Sequence, residues 1–231
     1  MISETANTPI ATCYLLIKER IAQALKGSPR GGGALRIIAV SKSRSIANIE
    51  ELYQGGQREF AENYENELQS KALQFAGRGI TWIFIGRLQT NKIKRIVEFA
   101  DEIQSVASLR QLTFIDRYAQ EFGKQNYPIY LEVNAGDEAS KGGFRFDELS
   151  SMASLVADRF PGLSLQGIMA IPPFFTAEQQ QAQQKLYCRL RKAADGIGHG
   201  KLSLGMSSDF EAAIAAGSDC LRIGTALFQG R

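Results

Sequence analysis

The sequence predicts an α/β protein, a single (β/α)8 TIM barrel with an extra N-terminal helix. Three observations carry that prediction. Eight short apolar runs, at residues 35–40, 58–61, 81–85, 102–106, 128–134, 163–169, 201–204 and 219–223, alternate with stretches of helical periodicity. No linker of shifted composition interrupts the alternation, so residues 1–231 read as one domain, with 1–33 as the extra helix and its linker. The 231 residues also lie toward the low end of the roughly 200 to 400 that such barrels use. A doubly wound open sheet would give the same alternation, because closure is not written in a sequence.

Each element has a local reason. Ile10, Tyr14, Ile17, Ile21 and Leu25 recur at helical spacing and set the first helix over residues 9–26, broken by GSPRGGG. The first strand, rich in β-branched residues, suits burial on both faces. Ile46, Ile49, Leu52 and Tyr53 mark a helix stopped by Gly55-Gly56, and a third helix runs to about residue 75. Thr90 and Ser108 are placed to cap the next two helices, the second ending at Gly123. A helix over 146–160 ends at Pro161-Gly162, and Thr176 with Gln179 forms a capping box for a long helix to about residue 194. Ser208 with Glu211 repeats that pattern for a short helix over 209–216. No helix of normal length follows the eighth strand, so the first helix is expected to fill that gap in the outer ring.

Composition narrows the function. Apolar residues make up 44% and charged residues 22%, an ordinary globular mix able to bury a core. A net charge of +3 argues for no nucleic acid, and the basic cluster Lys92, Lys94, Arg95 lacks aromatic interleaving. No apolar run reaches the roughly 20 residues of a membrane helix, and the start of the chain does not read as a secretory signal. Cys13, Cys188 and Cys220 are widely spaced with no metal-ligand pattern, which fits free thiols in a cytoplasmic protein. The sole histidine, His199, lies between glycines in a loop, so histidine-dependent chemistry is absent.

In such folds chemistry gathers at the carboxyl ends of the strands. Those ends carry Lys42, Asn63 and Tyr64, Gly86 and Arg87, Asn134, Met169, Gly205-Met206-Ser207-Ser208, and Arg222-Ile223-Gly224-Thr225. The last two groups follow strands seven and eight, where phosphate sites of barrels recur, and the first of them leads into a short helix. Taken singly, Ser208 is equally a cap and Gly224 a turn residue; together the groups read as a phosphate site. A phosphate site combined with a lysine on the first strand fits pyridoxal 5′-phosphate (PLP), whose aldehyde forms a Schiff base with an amine. Burial and nearby Arg222 would favour the neutral amine of Lys42. Arg222 would face the pyridine nitrogen, or else form a buried salt bridge inside the barrel. Lys42 taken alone is equally a surface lysine with its stem on apolar neighbours.

The motifs IAVSK (38–42), FAENYENEL (60–68), WIFIGRLQTNK (82–92), IQSVAS (103–108), LEVNAGDEASKGGF (131–144), LQGIMAIPP (165–173), LSLGMSSDFEAAIAAGS (202–218) and RIGTALFQGR (222–231) occur in this order. On them the chain resembles the pyridoxal phosphate homeostasis protein family, also called YggS/PROSC, which in turn is similar to the N-terminal barrel domain of alanine racemases. The resemblance implies that Lys42 forms the internal aldimine and that Ser207, Gly224 and Thr225 hold the phosphate. It implies Arg222 at the pyridine nitrogen, with Asn63 near the ring and Met206 close by. It also implies a protein that holds and supplies PLP to apoenzymes without a reaction of its own. Ile83, Arg87, Gln104 and Ala107 depart from the usual His, His, His and Asp of those motifs. Lys141 is either a contact to cofactor or partner or an exposed loop residue.

Two other functions fit a barrel lysine. An amino-acid racemase needs acid/base groups on both faces of its substrate; the second domain that supplies one is expected to be missing, since the chain ends after the barrel, and only Tyr64 stands near as a substitute. A Schiff-base aldolase would need no cofactor. A barrel closes without a partner, so a monomer is expected.

Overall fold

The computed structural model describes residues 9–28, 35–136 and 142–228; the expected linker at 29–33 and Lys141 lie outside them. The strands are β1 (Arg36–Val40), β2 (Glu59–Glu62), β3 (Thr81–Phe84), β4 (Glu102–Val106), β5 (Tyr127–Val133), β6 (Leu163–Ala170), β7 (Lys201–Ser203) and β8 (Cys220–Ile223). They form one closed barrel in sequence order, each pair parallel. Closure between β8 and β1, with Arg36 opposite Cys220 and Ala39 opposite Ile223, excludes the open sheet.

The helices are α1 (Pro9–Leu25), α2 (Ile46–Gln54), α3 (Glu65–Gln74), α4 (Ile93–Phe99), α5 (Leu109–Glu121), α6 (Leu149–Arg159), α7 (Gln180–Asp195), α8 (Phe210–Ala215) and α9 (Thr225–Phe228). The buried stripe of α1, Ile10, Tyr14, Ile17 and Ile21, packs beside α8, α9 and α2, so α1 does fill the gap beside the short terminal helix.

Local signals set some boundaries and tertiary contacts set others. Ser108 caps α5 by accepting the Gln111 amide, whereas the Thr176–Gln179 capping box closes a 3-10 turn over Ala177–Gln179, so that α7 starts only at Gln180. Thr90 does not cap α4. Residues Thr90–Lys92 make a 3-10 turn, so α4 starts only at Ile93. Helix α6 starts at Leu149 rather than 146, because Arg145 to Glu148 close a turn in which the Glu148 carboxylate accepts the Arg145 amide. Ser208 is not the cap of α8 either; Asp209 holds that position, with its carboxylate engaged elsewhere.

Side chains alternate along a strand, and the inward set of this barrel is unusually polar. At the amino-terminal mouth Arg36 donates to Glu59 (2.8 Å), to Glu102 (2.8 Å) and to the Tyr130 hydroxyl (3.4 Å). Ile38, Ala61, Ile83 and Cys220 form an apolar layer, with Val40 and Ile85 against it. Burial pushes the Cys220 thiol up to about 12, which makes it an inert packing group. Beside this layer Gln104 crosses the barrel, donating to Glu102 (2.6 Å) and accepting from Ser203 (2.7 Å). Removing Glu102 by Glu102→Ala would leave Arg36 with one carboxylate fewer and Gln104 with only the weak Cys220 sulfur as acceptor. We expect a loss of about 3 kcal/mol, read by urea denaturation.

Candidate functional site

Lys42 is placed by the strand that precedes it. Arg36, Ile38 and Val40 form the inward series of β1, and Lys42 is its next member, just past the strand end. On β2 the corresponding series is Glu59, Ala61 and Asn63. Val40 lies opposite Ala61, so Lys42 and Asn63 emerge as neighbours at the carboxyl mouth. Lys42 is exposed, contrary to the burial expected for it. The reason is positional: it lies beyond the last ladder bond of β1, that of the Ser41 amide to the Ala61 carbonyl.

The buried lysine is a different one. Lys71 of α3, only 5% exposed, donates to the Ser41 carbonyl (2.7 Å), Glu62 (2.8 Å) and Glu67 (2.7 Å). Ser41 also donates its hydroxyl to Glu62 (2.6 Å), and Glu67 accepts the Ser43 amide (2.8 Å). Ser43 has a positive φ of 58°, uncommon for a side-chain-bearing residue. The residues on either side of Lys42 are thus held by one buried ionic cluster. Burial pushes the Glu62 carboxyl up, against the pull of Lys71 and Ser41. For Glu67 burial also pushes up, but Lys71 and the Ser43 amide outweigh it and hold the carboxyl low.

Asn63 sits at the crossing of β2 and β3, where its Oδ1 is buried without a hydrogen-bond partner. Gly86 makes the crossing feasible, since a Cβ there would lie 2.0 Å from the Asn63 carbonyl oxygen. An unpartnered buried acceptor at a strand end marks a place built for something else.

The β7 and β8 ends meet. Gly205 has φ +103°, and a Cβ on it would lie 2.6 Å from the Ala213 Cβ, so the chain turns tightly there onto α8. The next residue, Met206, donates its amide to the Asp209 carboxylate (2.6 Å), which also accepts the hydroxyl of Tyr187 from α7. This explains the displaced cap: Asp209 fixes the loop instead of the helix end. The Ser207 hydroxyl then accepts two amides from the other strand end, Gly224 (3.3 Å) and Ala226 (3.1 Å). Two amides converging on one oxygen form a geometry suited to an anion. Thr225, exposed, stands between them.

Arg222 is 3% exposed and forms no ion pair among the described residues, so the salt-bridge alternative is not what the structure has. It donates to the Ser203 hydroxyl (2.6 Å) and the Ala170 carbonyl (2.8 Å). Burial holds its pKa below the usual arginine value, opposed by Cys220, Asp209 and Glu132. Through Ser203, Gln104 and Glu102 it is connected to Arg36 at the far mouth.

The structure therefore brings together Lys42 with Asn63, and Ser207 with Gly224 and Met206, while Arg222 lies below the same face. The supporting residues Lys71, Glu62, Glu67, Asp209, Tyr187 and Ser203 were not singled out by the sequence. The one available signal was the Glu67–Lys71 spacing of four, which on a helix usually means a surface pair. Lys71→Met would strand the Glu62 charge and should cost about 3–5 kcal/mol in urea unfolding. Adding Glu62→Leu to it should recover more than half of that loss, since no buried charge is then left unpaired.

The chain has clear relatives among known proteins. The family profile described as alanine racemase, N-terminal domain, matches residues 18–231. The chain is 36% identical over 226 residues to a protein of Pseudomonas aeruginosa named pyridoxal phosphate homeostasis protein, with 96% of each covered. It is 37% identical over 224 residues to the protein of the same name from Escherichia coli K12, covering 93% of this chain and 94% of that one. PipY of Synechococcus elongatus, solved with PLP bound, superposes with a TM-score of 0.75 at 30% identity, over 92% of this chain and 99% of PipY. Alanine racemase of Corynebacterium glutamicum shares the fold alone, at 15% identity and a TM-score of 0.61, with 90% of this chain and 60% of the racemase covered. The chain belongs to the pyridoxal phosphate homeostasis protein family, built on the alanine racemase N-terminal barrel.

Proposed function

We propose that this protein binds PLP at the carboxyl mouth of the barrel, and holds and supplies it without running a reaction of its own. The observation that carries the reading is the meeting of Ser207 with Gly224 across two strand ends, on the face from which Lys42 emerges. The residues present fit the cofactor. The amides of Gly224 and Ala226 converge as an anion requires, and the buried Asn63 Oδ1 awaits a donor. When bound, PLP supplies an aldehyde that condenses with a primary amine.

This chain's own groups would then divide the work. Lys42 presents the amine, steadied through Ser41 and Ser43 by Lys71 and Glu67. Ser207, Gly224 and Thr225 take the phosphate, on a loop tied down by Asp209 and Tyr187. Met206 lies on that same loop. Arg222 faces the ring nitrogen, and its guanidinium has no acceptor, so a nitrogen opposite it stays unprotonated. The Ser203 hydroxyl is committed as donor to Gln104, so it can only accept from Arg222, which fixes the guanidinium in place.

The role as a carrier is supported by the names of the relatives. The described residues place no second acid or base in hydrogen-bond contact with Lys42, and Tyr64 points outward at 55% exposure. PLP-dependent apoenzymes are the partners this role needs. The carrier would act in the cytoplasm as a monomer; no described helix is long and apolar enough to cross a membrane.

Purified protein mixed with PLP should show the visible absorption band of a lysine-linked cofactor, and Lys42→Ala should abolish it. A band of normal intensity in the variant would remove Lys42 from the reading. Neither alanine nor serine should be racemized at the roughly 1–1000 per second usual for enzymes; turnover in that range, followed by circular dichroism, would make the protein a racemase.

A further inference from the structure

Beside the cofactor residues, between the carboxyl ends of β2 and β6, lies a cavity of about 500 Å³. It does not reach the loops after β7 and β8, and its wall mixes polar and apolar side chains. Two of those groups bear opposite charge. Glu132, the inward residue of β5 after Tyr130, lines the cavity, and its carboxylate makes no hydrogen bond or ion pair with any described residue. Arg87, after β3, lines it from the rim, exposed, and is likewise without a partner among the described residues. They are not paired with each other either, although one cavity holds both. Ile85, Leu88, Ala135 and Ile171 give the wall an apolar part.

A half-buried carboxylate with no partner is costly unless a ligand brings a donor. Burial pushes the Glu132 carboxyl up, against the charge of Arg222, which donates its hydrogen bonds elsewhere. An ammonium group supplies the hydrogen-bond donors that the Glu132 carboxylate lacks, with a charge to match. A carboxylate supplies the planar, two-oxygen partner for which a guanidinium is shaped. A ligand carrying both on adjacent atoms, with an aliphatic side chain for the apolar wall, is an aliphatic α-amino acid.

We propose that this cavity is a binding site for a free aliphatic α-amino acid, its ammonium on Glu132 and its carboxylate on Arg87. The site goes beyond the cofactor reading: neither residue is assigned to PLP, and the amino acid would lie next to it, since Asn63 lines the same cavity. A carrier of PLP would thereby sense the amino-acid supply on which PLP-dependent enzymes act.

The test is equilibrium dialysis of radiolabelled L-leucine against the PLP-loaded protein, with the visible band recording the loading separately. We expect one leucine retained per chain. 4-Methylpentanoate, which lacks the ammonium, and 3-methylbutylamine, which lacks the carboxylate, should each compete at least tenfold more weakly than leucine. Arg87→Gln and Glu132→Gln should each weaken retention at least tenfold while the band persists. Should Glu132→Gln fail to fold, Arg87→Gln and the two one-charge analogues decide the matter. A loaded protein that retains no leucine overturns the proposal, as does retention unchanged by Arg87→Gln or analogues competing as well as leucine. Absence of the band would instead count against the cofactor reading.

Discussion

Strand β8 lies in register against β1, with Arg222 opposite Ile38 and Ile223 opposite Ala39, and this pairing joins the two ends of the chain into one site. Without it Lys42 would stand at one edge of an open sheet and Gly224-Thr225 at the other. Closure brings the β8 end onto β1 so closely that a Cβ on Gly224 would touch the Val40 side chain at 3.4 Å. The helix α1 covers the seam from outside, its stripe of Ile10, Tyr14, Ile17 and Ile21 set beside the short helices α8 and α9. The extra helix is thus part of what allows so short a chain to finish a barrel.

Inside, the barrel departs from the layers of Val, Ile and Leu that usually fill this fold. A connected run of polar side chains leads from Arg36 through Glu102, Gln104 and Ser203 to Arg222. Such networks contribute little net stability, but a fully satisfied one admits a single arrangement. Each bond here orients the next. Glu102 accepts from the amide nitrogen of Gln104, so its oxygen faces Ser203, and the Ser203 proton is spent on that oxygen. Arg222 is the end of the run that meets the mouth. The cluster of Lys71, Glu62 and Glu67 does similar work outside the barrel wall, holding the turn on both sides of Lys42.

The eight strand positions were legible because each is a short apolar run bounded by turn residues, and the placement of Lys42, Ser207 and Thr225 at one end followed from alternation alone. Pairing across the chain was not legible. The Ser208–Glu211 spacing looks like a capping box, yet the neighbouring Asp209 takes the cap position and turns its carboxylate to Met206 and Tyr187, which no local pattern announces. The exposure of Lys42 and the burial of Lys71 reverse what their settings suggested: an apolar strand precedes the first, and a polar helix carries the second. Such reversals arise where long-range contacts outweigh local preference, and here they fall at the candidate site.

The central claim is that the joined ends of the barrel hold PLP through Lys42. It is tested most directly by reducing the PLP-treated protein with borohydride and mapping the modified peptide by mass spectrometry. The account predicts the added mass on Lys42 and on no other lysine in appreciable amount. A modification centred on another lysine, Lys71 or Lys92 for example, would contradict it.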